Sequence, residues 1–192
     1  MIGNDIVDLE VAERESNWRR PGYLQKIFNV EERLQIEAAQ NPDLLVWTFW
    51  SMKEAAYKAY QRKFGLGRSF NPSKISCCIS IKENTSASGK VRINRSTFIT
   101  KTSFKESYVH TTANSSEAKK VVSKIYPSAE NVKELLLKEI SVKMGYPLLS
   151  VSIKKDRSSV PILIADDQKI NLPFSISHHG KFSAFSLPLM KD

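Results

Sequence analysis

Trp47-Thr-Phe-Trp50-Ser-Met-Lys53-Glu54-Ala-Ala-Tyr-Lys58 is the stretch whose reading decides the fold. Its apolar residues, with Leu44, Leu45 and Val46 before them and Tyr60 after, occupy nearly every face of a helical wheel. A helix that is apolar all round is a buried helix. Neither Gly nor Pro interrupts the run after Pro42, and Asp43 stands in the first turn, where a carboxylate meets the positive end of the helix dipole. Lys53, Glu54 and Lys58 sit inside this apolar cylinder, and burying an ionised group alone is so costly that each must meet a counter-charge, a metal or a cleft. Glu54 and Lys58 are four apart and share one face. On the residues alone they are either an exposed ion pair worth about 0.3–0.5 kcal/mol or part of a site.

Upstream, Asn41-Pro42 ends a shorter helix that begins after Asn29, where Asn29-Val30-Glu31-Glu32 has the spacing of a capping box. Residues 11–23 are polar, with Trp18, Arg19, Arg20, Pro21 and Gly22, and read as a helical turn followed by a loop. The chain opens with Ile2-Gly-Asn-Asp5-Ile-Val-Asp8-Leu9, a short strand that carries two carboxylates. Strands deplete Asp, so Asp5 either caps the next turn or is a ligand.

Downstream, Phe64-Gly-Leu-Gly67 is either a helix cap with its turn or a flexible glycine pair. Strand-like runs follow at 74–82, 90–94, 97–100 and 108–113, separated by Asn84-Thr-Ser-Ala-Ser-Gly89 and similar turns, as in an antiparallel meander. Residues 114–120 are polar and read as a linker. Ser128 then caps a helix whose Val132, Leu135, Leu136, Ile140 and Met144 form a stripe at the 3.6 period, closed by Gly145 and Pro147. Further strands are predicted at 149–153, 161–164, 174–177 and 182–187. In the last block, Ser177 and His178 come between an apolar strand and Gly180, at a sheet edge where they can donate to an anion. The class is α+β, with two similar halves, 1–116 and 117–192, each a helix plus antiparallel sheet and together one compact unit.

The 192 residues are 41% hydrophobic and 26% charged, as expected of a soluble globular chain. No run approaches the ~20 apolar residues of a membrane span, and the N-terminus lacks the basic and apolar regions of a secretory signal, so a cytoplasmic location is expected. Cys77 and Cys78 are adjacent and would point to opposite faces of a strand, which excludes a bond between them and gives no zinc pattern. They read as two small packed residues. The net charge of +9 calls for an acidic partner. No nucleic-acid signature accompanies the charge, so a basic nucleic-acid binder rests on charge alone.

Three stretches together resemble the 4′-phosphopantetheinyl transferase superfamily. Gly3-Asn-Asp5-Ile-Val-Asp8 is similar to its metal-binding strand, Trp50-Ser-Met-Lys53-Glu54-Ala-Ala-Tyr-Lys58 to its WxxKEAxxK helix, and Phe174-Ser-Ile-Ser177-His178-His-Gly180 to its serine-histidine motif. The order of the motifs resembles a circularly permuted surfactin-synthetase-type member, a pseudo-twofold monomer; the competing resemblance is to an enlarged holo-acyl-carrier-protein synthase, whose small members are trimers. The resemblance implies transfer of the phosphopantetheine arm of coenzyme A to a carrier-protein serine. Asp5 and Glu54 would hold Mg²⁺, a count of carboxylates that suits this ion. Lys58 would neutralise a phosphate oxygen, Ser177 and His178 would bind the 3′-phosphate end, and Glu54 or Lys58 would serve as base.

Two departures stand out. Val7 occupies the place of a second acid, and Ser159-Val160-Pro161 replaces a Gly-Lys-Pro segment, leaving Lys154 or Lys155 to compensate. They keep open a catalytically silent member that binds carrier protein or nucleotide as a module. Arg14, Arg19, Arg20 and Arg33 are the candidates for contact with an acidic acyl or peptidyl carrier.

Overall fold

The central helix, α4 (Pro42–Phe64), is longer than the motif that announces it. Asn41 Oδ1 accepts the Leu44 N–H at 2.9 Å, Pro42 occupies the first turn, where a missing amide costs nothing, and Gly65 ends the helix in the left-handed conformation. The computed structural model describes residues 1–115 and 120–189. Before α4 come β1 (Ile2–Asp8), α1 (Leu9–Glu15), α2 (Tyr23–Ile27) and α3 (Val30–Glu37). The capping box of α3 is present as expected: Asn29 Oδ1 accepts from Glu32 N, and Glu32 Oε2 accepts from Asn29 N, both at 2.9 Å. The polar 11–23 segment conceals the start of α2.

After α4 the meander forms β2 (Ile75–Lys82), β3 (Ser86–Ile93), β4 (Ser96–Phe104) and β5 (Tyr108–Asn114). Pairing β5 with β1 closes an antiparallel five-stranded sheet in the order β1-β5-β4-β3-β2. The expected turn at 84–89 is corrected: from Ser86 onward those polar residues are strand, with Ser88 and Gly89 paired to Lys101 and Thr100. Their partners on both sides override their turn propensity. Cys77 is buried and Cys78 exposed, so only one of the two is a packed residue.

Helix α4 lies across this sheet, and Val46, Phe49, Met52, Ala55, Ala56 and Ala59 are at most 1% exposed. Each large apolar side chain so buried contributes about 1.5–3 kcal/mol. The helix approaches β1 so closely that a Cβ on Gly3 would overlap Ala55 O and lie 2.7 Å from Ala59 N. Only glycine fits there.

The second block contains β6 (Val121–Pro127), α5 (Val132–Met144), β7 (Val151–Lys155), β8 (Pro161–Ala165), β9 (Gln168–Ile170), β10 (Ser175–His179) and β11 (Phe182–Pro188). They form two antiparallel three-stranded sheets, β10-β11-β6 and β7-β8-β9, around a core of Leu136, Ile140, Leu163, Phe174, Phe185 and Leu187. Asn131, not Ser128, caps α5, its Oδ1 accepting from Glu134 N at 3.3 Å. Of the expected 114–120 linker, Asn114 closes β5, while residues 116–119, and with them the expected boundary between the halves, lie outside the described residues. No described helix is long and apolar enough to cross a membrane.

The two blocks meet where β10 lies along β1. Asn4 N donates to Ser175 Oγ at 2.9 Å and Asp8 N to His179 Nδ1 at 3.0 Å. Both bonds have the same sequence offset of 171, so the strands run in the same direction, fastened by side chains. Beyond Gly65 a second fastening forms, where Ser158 Oγ donates to Gly65 O at 2.8 Å.

Candidate active site

Strand β1 is buried along its whole length, with β5 on one side, β10 on the other and α4 across its face. The close approach at Gly3 lets Lys58 reach it. Lys58 Nζ donates to Asn4 O at 3.0 Å and to Asp5 Oδ1 at 2.9 Å. Asp5 therefore does not cap a turn; that role belongs to Asp8, whose Oδ1 accepts from Glu10 N and Val11 N at the start of α1. The other Asp5 oxygen, Oδ2, is buried without a hydrogen-bond partner among the described residues. A buried carboxylate oxygen without a donor is costly and signals a missing partner.

Glu54, one turn before Lys58, is half-buried and opens into the same space. Burial, and then the Asp5 charge, push its carboxyl above the ordinary value, while Lys58 and Arg68 oppose that shift. Two carboxylates opening on one space, Asp5 adding to the cost of ionising Glu54 and itself carrying an orphaned oxygen, form a donor set suited to a hard divalent cation. With only these two, the site falls short of a protein-only metal cluster: no group of three or more His, Cys, Asp or Glu side chains poised for a metal occurs among the described residues. Mg²⁺ typically keeps several waters, so the set fits it. Behind β1, burial and then the Lys58 charge push the His110 imidazole down to about 4, which keeps it neutral. Its Nε2 lies 3.4 Å from Asn4 Nδ2.

Asp5, Glu54 and Lys58 line a cleft of about 640 Å³, within the usual range of small-molecule sites. The opposite wall is β10, which contributes Ser177, His178 and His179. Ser177 Oγ is buried with no partner among the described residues, whereas His178 is exposed. Arg68, Lys155 and Ser159 also line the cleft, as do the aromatic rings of Tyr23, Trp47, Trp50 and Tyr57. Of the two lysines considered as compensation for the altered Gly-Lys-Pro segment, Lys155 lines the cleft, and Val160 is buried.

Sequence reasoning passed over His179 and Asp8. Asp8 Oδ2 accepts Lys181 N at 2.8 Å, and a Cβ on Gly180 would overlap this carboxylate, so the β10–β11 turn is moulded onto Asp8. Burial would raise the Asp8 carboxyl, but the backbone N–H groups of Lys181, Val11 and Glu10 outweigh it and hold the group below its ordinary value. The arginines proposed for a carrier contact scatter. Arg19 forms a two-pronged pair with Asp43 at 2.8 and 2.7 Å, Arg14 and Arg20 are exposed, and Arg33 has a buried Nε without a hydrogen-bond partner among the described residues. Lys53, adjacent to Glu54, does not reach the cleft at all.

Comparison with curated proteins gave no match. A family model described as ACPS, 4'-phosphopantetheinyl transferase superfamily, matches residues 1–114, which span β1, α4 and the meander through β5. Since this match covers more than half of the chain, the protein belongs to the 4′-phosphopantetheinyl transferase superfamily.

Proposed function

We propose that the protein transfers the 4′-phosphopantetheine group of coenzyme A to a serine of an acyl or peptidyl carrier protein, releasing 3′,5′-ADP. Superfamily membership supports the kind of reaction, coenzyme A as donor and a carrier as partner. The observation that carries the reading is the convergence of the orphaned Asp5 oxygen, Glu54 and Lys58 on a cleft closed by Ser177 and His178.

In this reading Asp5 and Glu54 hold Mg²⁺, which when bound neutralises the pyrophosphate charge. Lys58 is fixed by Asn4 O and Asp5, ready to donate to a phosphate oxygen. Ser177 and His178, with Lys155 on the same cleft, bind the 3′-phosphate end. The carrier serine oxygen forms a bond to the β-phosphorus while the bond from that phosphorus to the bridging oxygen breaks, and 3′,5′-ADP leaves with that oxygen. Glu54, directly or through a water, takes the serine proton, with Lys58 as the alternative base. Catalysis is then positioning and charge stabilisation.

The halves 1–116 and 117–192 would be related by a pseudo-twofold axis as a permuted monomer, since the site takes one wall from each. The +9 charge suits an acidic carrier and a cytoplasmic setting where carriers are loaded.

Intact mass of an apo carrier, incubated with the protein, coenzyme A and Mg²⁺ beside an EDTA control, tests the assignment. A metal-dependent gain of one phosphopantetheine arm is expected from at least one member of a fatty-acid, polyketide and peptide-synthetase carrier panel. No gain with retained coenzyme A binding would point to a silent binding module instead.

A further inference from the structure

His179 lines the cleft with its ring held by a backbone amide. Asp8 N can only donate, so the Nδ1 atom it meets at 3.0 Å must be the unprotonated nitrogen of the ring. The ring proton is then on Nε2. His179 is half-buried and lines the cleft, and its Nε2 has no hydrogen bond to another described residue. Asp8 is itself immobilised, since both its oxygens are engaged by the backbone of α1 and of the β10–β11 turn. The chain therefore holds an N–H donor at a fixed place beside the orphaned Ser177 Oγ, two residues back along the same face of β10. Two donors with no partner among the described residues, on one face of β10 in a cleft that Lys58 and Lys155 also line, define an oxyanion-binding strip.

We propose that His179 Nε2–H donates to a phosphate oxygen of the bound nucleotide donor, so that His179, with Ser177, is a substrate-contacting residue of the cleft. This rests on coenzyme A being the donor, as set out above. The contact is to the 3′-phosphate or to the pyrophosphate; both offer the same acceptor chemistry. The same ring has a second, structural duty through Nδ1, and the two duties are separable by substitution. Asn carries its polar atoms near the Nδ1 position and preserves the acceptor for Asp8 N while removing the outer donor. Gln reaches the Nε2 position with an N–H donor and gives up the Asp8 bond.

Coenzyme A binding by titration calorimetry in Mg²⁺, with melting temperatures measured alongside, distinguishes the two. His179→Asn is expected to melt like the wild type but bind coenzyme A about tenfold more weakly, the usual size for a lost hydrogen bond to a charged group. His179→Gln is expected to melt lower but bind within about threefold of the wild type. A purely structural histidine would give the reverse order, and His179→Asn binding as tightly as wild type overturns the assignment. Repeating the pair with 3′-dephospho-coenzyme A places the contact. If the His179→Asn penalty vanishes, the acceptor is the 3′-phosphate; if it persists, the acceptor is the pyrophosphate. A wild-type protein that binds no coenzyme A would overturn the donor reading itself, and this inference with it.

Discussion

Lys53→Met unfolds the protein more readily by about 3–5 kcal/mol, the usual cost of breaking a fully buried ion pair from one side. Lys53 and Glu32 side chains are 0% exposed and meet at 2.8 Å. The ammonium also donates to Ile27 O, Pro72 O and Ile75 O at 2.8–2.9 Å, so it joins α4, the end of α2 and the entry to β2. Methionine follows the lysine stem closely in shape, which confines the loss to the charge. It strands the Glu32 carboxylate in the core and leaves three carbonyls without their donor. At this chain length about 2–4 °C is lost per kcal/mol, so thermal melting should fall by roughly 6–20 °C. Adding Glu32→Gln removes the stranded charge and should restore part of the loss. A Lys53→Met protein within about 1 kcal/mol of wild type in urea unfolding would show that the pair is not the keystone it is taken for here.

Glu54→Gln, one residue along, should do the opposite. It abolishes metal-dependent transfer and raises thermal stability by about 2–4 °C at neutral pH. The wild-type carboxyl is held above its ordinary value because burial, and secondly Asp5, disfavour its charge more than Lys58 and Arg68 favour it. Ionised Glu54 is thus a net cost in the folded state. The sign follows from linkage: below the unfolded value the group is protonated in both states and costs nothing, and the penalty grows as pH rises through the folded value. The advantage of the glutamine variant should therefore be full at neutral pH and vanish in acid, as melting in EDTA across pH would register. Equal or lower stability of Glu54→Gln at neutral pH, or retained transfer, would contradict the role given to this carboxylate.

Lys53 and Glu54 show what the sequence could and could not disclose. That both sit on a buried helix, and that each needs a partner, follows from the apolar run around them. Which partner each finds does not. Glu32 is 21 positions upstream and is committed three ways at once, accepting from Asn29 N and Cys77 N and pairing its charge with Lys53. Local signals were reliable at several helix ends, Asn29 with Glu32, Asn41 with Pro42, and Gly65 and Gly145 as left-handed caps, but not at Ser128, in whose place Asn131 caps α5. They misled where pairing decides. Ser86–Gly89 has turn residues yet sits between two strands, and Val121–Pro127, with neither strong alternation nor flanking glycine, becomes a strand beside β11. In the site, the likeness of three short stretches pointed to Asp5, Glu54, Lys58, Ser177 and His178. The structure brings them to one cleft. The roles of Asp8 and His179 depend on a bond between residues 171 apart, which no periodicity reveals.

The seam between β1 and β10 has a kinetic meaning. It closes a loop that spans most of the chain and, at Asn4 and Asp8, is rewarded by bonds to side chains in place of a backbone ladder. Chain entropy makes such a contact among the last to form and the cheapest to release. The amides of Asn4 and Asp8 should accordingly exchange with solvent through a partial opening, ahead of Val91 and Phe98 in the middle of the five-stranded sheet; equal protection would mean that both blocks unfold as one. A molecule gripped between Glu54 on one side and Ser177 on the other would span that seam. Occupancy would then act as a clasp on this long-range closure, slowing its release in proportion to how tightly the molecule is held.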